Sequence, residues 1–75
     1  MTYYEFIELI KEKRNELNFT QEFIANKLNI SRSKYNKIEN AKLEINFKEL
    51  VLISNLLDID LNIIKKEKSK NHFFD

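Results

Sequence analysis

Between residues 27 and 42 stand five cationic side chains, Lys27, Arg32, Lys34, Lys37 and Lys42, against a single acidic one, Glu39. Arg and Lys carry hydrogen-bond donors and no acceptors, so their chemistry near neutral pH is to hold anions and acceptor edges, not to make or break bonds. Ser33, Asn36 and Asn40 lie among them and add short polar groups. The net charge of the whole chain is only +1, but a polyanion responds to the local field. Residues 1–26 carry three basic and five acidic groups, residues 43–64 one and four, and residues 65–75 four and two. Positive charge is therefore concentrated in the middle of the chain and in its last stretch. Taken singly, such a cluster is more often a solvated face than a binding site, and its setting has to decide.

Other chemistries have little to stand on. With no cysteine there is neither a disulfide framework nor a thiolate site, and one histidine, His72, cannot assemble a triad or a zinc cage. The chain lacks glycine and proline altogether, which leaves no phosphate-cradling loop and no proline-broken linker. The expectation is a protein that is not an enzyme and needs no cofactor or metal. Hydrophobic residues at 43% and charged residues at 33% make an ordinary globular mixture. No apolar run approaches the roughly 18 residues that span a bilayer, and no signal-peptide pattern opens the chain, so a soluble, cytoplasmic protein is expected. Seventy-five residues allow one compact domain.

The elements that would carry the cationic cluster follow from hydrophobic spacing and caps. Tyr3, Phe6, Ile7, Ile10 and Leu17 recur at helical intervals and predict a first helix. Asn18 and Phe19 interrupt it, and Thr20 is a good N-cap for a second helix ending at Leu28. Asn29 tolerates the left-handed backbone that closes a helix, and Ser31 caps a third helix to about Asn40. Residues 41–45 read as a loop. Asn46 caps a fourth helix through Phe47, Leu50, Val51, Ile53 and Leu57, Asp58 stops it, and Asp60 caps a fifth with Leu61 and Ile64 inward. The remaining KKEKSKNHFFD reads as a solvated extension in which His72, Phe73 and Phe74 form a frayed end.

Within this order the segment TQEFIANKLNISRSKYNKIEN, Thr20 to Asn40, has the pattern of two short helices crossing at a tight turn. Ile24 and Leu28 lie i, i+4 on one helix, Tyr35 and Ile38 lie i, i+3 on the next, and Ile30 plugs the corner. Ala25 falls where the two helices must approach closely. The segment resembles the phage-repressor and Cro type, or xenobiotic-response-element type, of helix-turn-helix regulator, and the likeness extends over about residues 6–64 because NFKELVLISNLLDIDLNII also follows that family's pattern. The resemblance implies an all-α, compact five-helix bundle of the lambda-repressor-like DNA-binding type, with residues 1–64 as the DNA-binding domain and 65–75 as a basic tail or linker.

It also implies roles. Gln21, opening the second helix, would hold a phosphate, and Arg32, Ser33 and Lys34, at the start of the recognition helix, would reach base edges, joined by Lys37 one turn on. Arg and Lys donate well to guanine O6 and N7, with about 1–3 kcal/mol of discrimination for a good pair. Asn36, Asn40 and Lys42 are candidates for backbone contacts, which set register and not sequence. Arg14 and Glu39 match an internal salt bridge of the family. Tyr35 occupies a place usually filled by a buried aliphatic residue, so a core ring with an exposed hydroxyl is expected. Where the family usually has glycine, this chain has Asn18, Asn29, Ala41 and Asp58. Ala41 is the poor replacement, so the end of the third helix is expected to close differently, with Asn40 taking the positive φ in its stead, a shape that bears on its phosphate contact.

Leu52 and Leu56 lie away from the Leu50, Ile53 and Leu57 stripe. With Ile63 they would form a two-fold dimer that sets two recognition helices about 34 Å apart. The reading is thus a homodimeric, sequence-specific binder of double-stranded DNA, a transcriptional regulator of the repressor kind. Its rival is a protein-interaction module, an antitoxin or anti-repressor that grips a protein partner with the same fold. A DNA-binding piece of a longer protein is a third.

Overall fold

A computed structural model describes residues 1–62, in which the helices are α1 (Tyr3–Glu16), α2 (Gln21–Leu28), α3 (Arg32–Glu39) and α4 (Phe47–Leu56). Each starts at a side chain that accepts one of the backbone N–H groups left over at a helix N-terminus. Thr2 accepts from the N–H of Glu5, Thr20 from Phe23, Ser31 from Lys34 and Asn46 from Glu49. At Thr2 and Asn46 the glutamate three residues on also accepts from the cap's own N–H, closing a capping box. Thr2 is a start signal that the apolar spacing of α1 did not reveal.

The four ends share one closure. Asn18, Asn29, Ala41 and Asp58 all take a left-handed backbone, with φ of 60°, 60°, 58° and 57°. In each case the next N–H reaches back five residues: Phe19 to Arg14 O, Ile30 to Ala25 O, Lys42 to Lys37 O and Ile59 to Ser54 O. This corrects the expectation at the end of α3, because Ala41 itself takes the positive φ while Asn40 stays at φ −95°. The 2.8 Å bond from Lys42 to Lys37 O, together with that from Ala41 to Ile38 O, holds an alanine where glycine would sit without a Cβ penalty.

The core is drawn from every helix: Phe6, Ile7 and Ile10 of α1, Ile24, Ala25 and Leu28 of α2, Tyr35 and Ile38 of α3, and Leu50 and Ile53 of α4. Ile45, Leu57 and Ile59 close it from the connecting segments. Ala25 is 1% exposed, at the close approach of α2 to its neighbours, and Ile30 packs half-buried against the core at the corner. The expected five helices are met by four among the described residues. Asp60 does accept from the N–H of Asn62 at 2.9 Å, as the cap of a further helix would. Ile63, Ile64 and the KKEKSKNHFFD stretch, with His72, Phe73 and Phe74, lie outside the described residues. Among those described, no helix is long and apolar enough to cross a membrane.

Candidate nucleic-acid interface

α3 is two-sided by necessity. Tyr35, Ile38 and Glu39 are buried, and at 3.6 residues per turn Arg32, Ser33, Asn36, Lys37 and Asn40 then fall within an arc of about 140° on the opposite side. All five are exposed. The first turn of α3 holds no acidic residue, in contrast to Glu5, Glu22 and Glu49 in the first turns of the other helices. Arg32 and Lys34 occupy it instead, against the positive end of their own helix dipole. That arrangement is unfavourable unless an anion lies close by, and within the protein Glu49 supplies one to Lys34.

The one carboxylate of α3 is turned inward and fully engaged. Glu39, 2% exposed, accepts from Arg14 Nε at 2.6 Å and from Tyr35 Oη through Oε2, and from an Arg14 terminal nitrogen at 3.1 Å and Gln21 Nε2 at 3.0 Å through Oε1. Four donors on two oxygens fill the acceptor capacity of a carboxylate. Burial pushes the Glu39 carboxyl up, but the bonds from Arg14, Tyr35 and Gln21 together outweigh it and hold it below the ordinary carboxylate range. The bond to Glu39 raises the Arg14 guanidinium in turn. Arg14 spends its other terminal nitrogen on Phe19 O at 2.8 Å, so one side chain ties α1, the turn after it and α3 together. The expected Arg14–Glu39 bridge is present. The Tyr35 hydroxyl is the correction: it is buried and donates to Glu39, and burial first, then that bond, raises its pKa.

From Glu39 a polar chain leads outward. Gln21, the first residue of α2, donates to Glu39 and accepts from Asn36 Nδ2 at 3.2 Å, and Asn36 accepts from Asn40 Nδ2 at 3.1 Å. Asn40 also donates to Asn36 O at 3.0 Å. The structure thus brings Gln21, Asn36 and Asn40 into one hydrogen-bonded row along the edge of the α3 arc. This row was not visible in the sequence, where Gln21 and Asn36 stand 15 residues apart.

Of the other expected residues, Arg32, Ser33 and Lys37 share the exposed arc, and Lys42 is exposed in the turn that follows α3. Lys34 is different. It lies about 60° beyond Lys37 around the helix, on the side facing α4, and its Nζ sits 3.3 Å from Glu49 Oε2. Among the described residues there is no group of three or more His, Cys, Asp or Glu side chains that could hold a metal.

Comparison with known proteins gives a family match and one curated relative. The helix-turn-helix family matches residues 10–64. Over 69 residues the chain is 36% identical to YqaE, an uncharacterized HTH-type transcriptional regulator of Bacillus subtilis (strain 168), a match covering 92% of this chain. The chain spans about 60% of the length of that relative. No solved structure gives a significant match.

Proposed function

Because the chain belongs to the helix-turn-helix family of the phage-repressor and Cro type, we propose that it is a transcriptional regulator that binds double-stranded DNA sequence-specifically through α3. The observation that carries this is the makeup of α3: an exposed arc of donors and short amides, from Arg32 to Asn40, with the helix's only carboxylate withdrawn into the core. An α-helix of this kind fits the major groove, where each base pair presents a distinct pattern of donors and acceptors. Arg32, Ser33 and Lys37 are the residues we assign to base edges. Gln21, Asn36, Asn40 and Lys42 are assigned to the phosphate backbone, where they fix register.

In this reading the protein acts in the cytoplasm as a homodimeric repressor, occluding a promoter. Residues 1–64 are the DNA-binding domain, and residues 65–75 are a basic tail or linker. Support for a dimer comes from an open groove between α2 and α4, lined by Lys27, Leu28, Leu52, Asn55 and Leu56. Leu52 is 40% exposed there, and apolar groups left in water at a groove favour association.

Selection of bound duplexes from a random DNA pool tests the function. The expected product is a short palindrome whose half-sites lie about one helical turn apart. Recovery of no shared sequence, together with binding that does not weaken as salt rises, would refute it and turn attention to a protein partner.

A further inference from the structure

Lys34 stands at the edge of the recognition surface and is held by a carboxylate that cannot follow it. Glu49 is 5% exposed and is fixed from two directions. Its Oε1 accepts from the N–H of Asn46 at 3.0 Å, while its own N–H donates to Asn46 Oδ1 at 2.8 Å, so the carboxylate is one half of the box that starts α4. Its other oxygen takes Lys34 Nζ at 3.3 Å. The two partners are unequally placed: the Lys34 side chain is 42% exposed and that of Glu49 is 7% exposed. The ammonium is therefore within reach of anything that approaches α3, and the carboxylate is not. A half-exposed pair of this kind is weak, so a DNA phosphate brought near it competes on comparable terms.

On the DNA-binding reading above, we propose that Glu49 is an internal competitor of the DNA phosphates for Lys34. It withholds one positive charge from the recognition helix, lowering affinity for DNA of any sequence while base readout by Arg32, Ser33 and Lys37 stays in place. A free lysine in the first turn of the recognition helix would add one phosphate contact to specific and non-specific binding alike. Glu49 removes that addition, so the hold on every duplex is weaker while the ratio of specific to non-specific affinity is unchanged.

The test is the salt dependence of binding to a short mixed-sequence duplex, read by fluorescence anisotropy on the full chain. Glu49→Gln keeps an acceptor for the Asn46 N–H and releases Lys34. The slope of log K against log salt is expected to steepen by about 0.9, the value for one further phosphate contact. A double variant, Lys34→Met with Glu49→Gln, keeps that acceptor and removes the lysine as well. Its slope is expected to match that of the unmodified protein. A Glu49→Gln slope equal to that of the unmodified protein overturns the proposal, as does a double variant whose slope is flatter by about 0.9, because Lys34 would then already be on the DNA. An unmodified protein with no salt-dependent binding fails in another way, since it removes the DNA-binding reading itself.

Discussion

Replacing Arg14 by Met removes the donor that supplies half of the bonds at Glu39. The two Arg14 bonds to that carboxylate are lost, and so is the bond to Phe19 O that closes the turn after α1. Glu39, 2% exposed, keeps Tyr35 and Gln21. Stranding one partner of a buried pair costs about 3–5 kcal/mol, and the two remaining donors favour the lower end, about 3 kcal/mol. A domain of this size is stable by only about 4–11 kcal/mol in all, so the loss is a large share.

The pH dependence identifies the cause. In the unmodified protein the Glu39 carboxyl is held below its ordinary value of 4.5. Its ionised form therefore contributes stability that is present above that value and is lost as pH falls through the depressed folded value. In Arg14→Met, burial is opposed by Tyr35 and Gln21 alone and the Glu39 pKa is expected to rise above the ordinary value. The variant is then least handicapped below the ordinary value and loses stability as pH climbs through the raised one. Urea unfolding of both proteins near neutral pH and near pH 4 should show a gap of about 3 kcal/mol that narrows at the lower pH. A gap under about 1 kcal/mol at neutral pH, or one of equal size at both, would refute the view that a stranded carboxylate is responsible.

Ala41→Gly removes a Cβ from a left-handed position and is expected to stabilise the fold by about 0.5–1 kcal/mol after the entropy of the unfolded chain is counted. Thermal unfolding would show this as roughly 3–6 °C in Tm, and a lower Tm would contradict it. Ala25→Leu forces side-chain volume into the close approach of α2 and should destabilise by about 1–3 kcal/mol, with an unchanged denaturation midpoint as the contrary result. Arg32→Ala should relax base preference at one position of the selected site. Lys42→Ala should weaken binding to all sequences about equally and flatten the salt slope by about one unit. A uniform loss in both variants, measured by anisotropy on site and mutant-site duplexes, would withdraw base readout from Arg32.

The helices and their starts were legible because the sequence writes them locally. Thr20, Ser31 and Asn46 each stand at the head of a segment whose apolar residues recur at helical spacing, and each acts as a cap. The exposed arc of α3 followed from placing Tyr35 and Ile38 in the core. Three features were less accessible, for different reasons. Ala41 holds a conformation that its side chain disfavours, because the Lys42 to Lys37 and Ala41 to Ile38 bonds satisfy the last carbonyls of α3 only in that shape. The Tyr35 hydroxyl has its partner one turn along its own helix at Glu39, a spacing visible in the sequence, but its burial depends on α1 and α2 closing over it. The pair Lys34 and Glu49 joins two helices across the loop of residues 41–45, where no local pattern ties the charges together.

On the proposed function, the outward face of α3 is the surface that meets DNA. Titration of an isotope-labelled sample with a duplex recovered by selection, followed through backbone amide shifts, tests it directly. The largest changes are expected at Gln21, from Ser31 to Lys37, and at Lys42, with little at the outer face of α1 around Tyr4, Glu8 and Glu12. Changes centred on α1, with the α3 amides unaffected, would move the DNA surface away from α3.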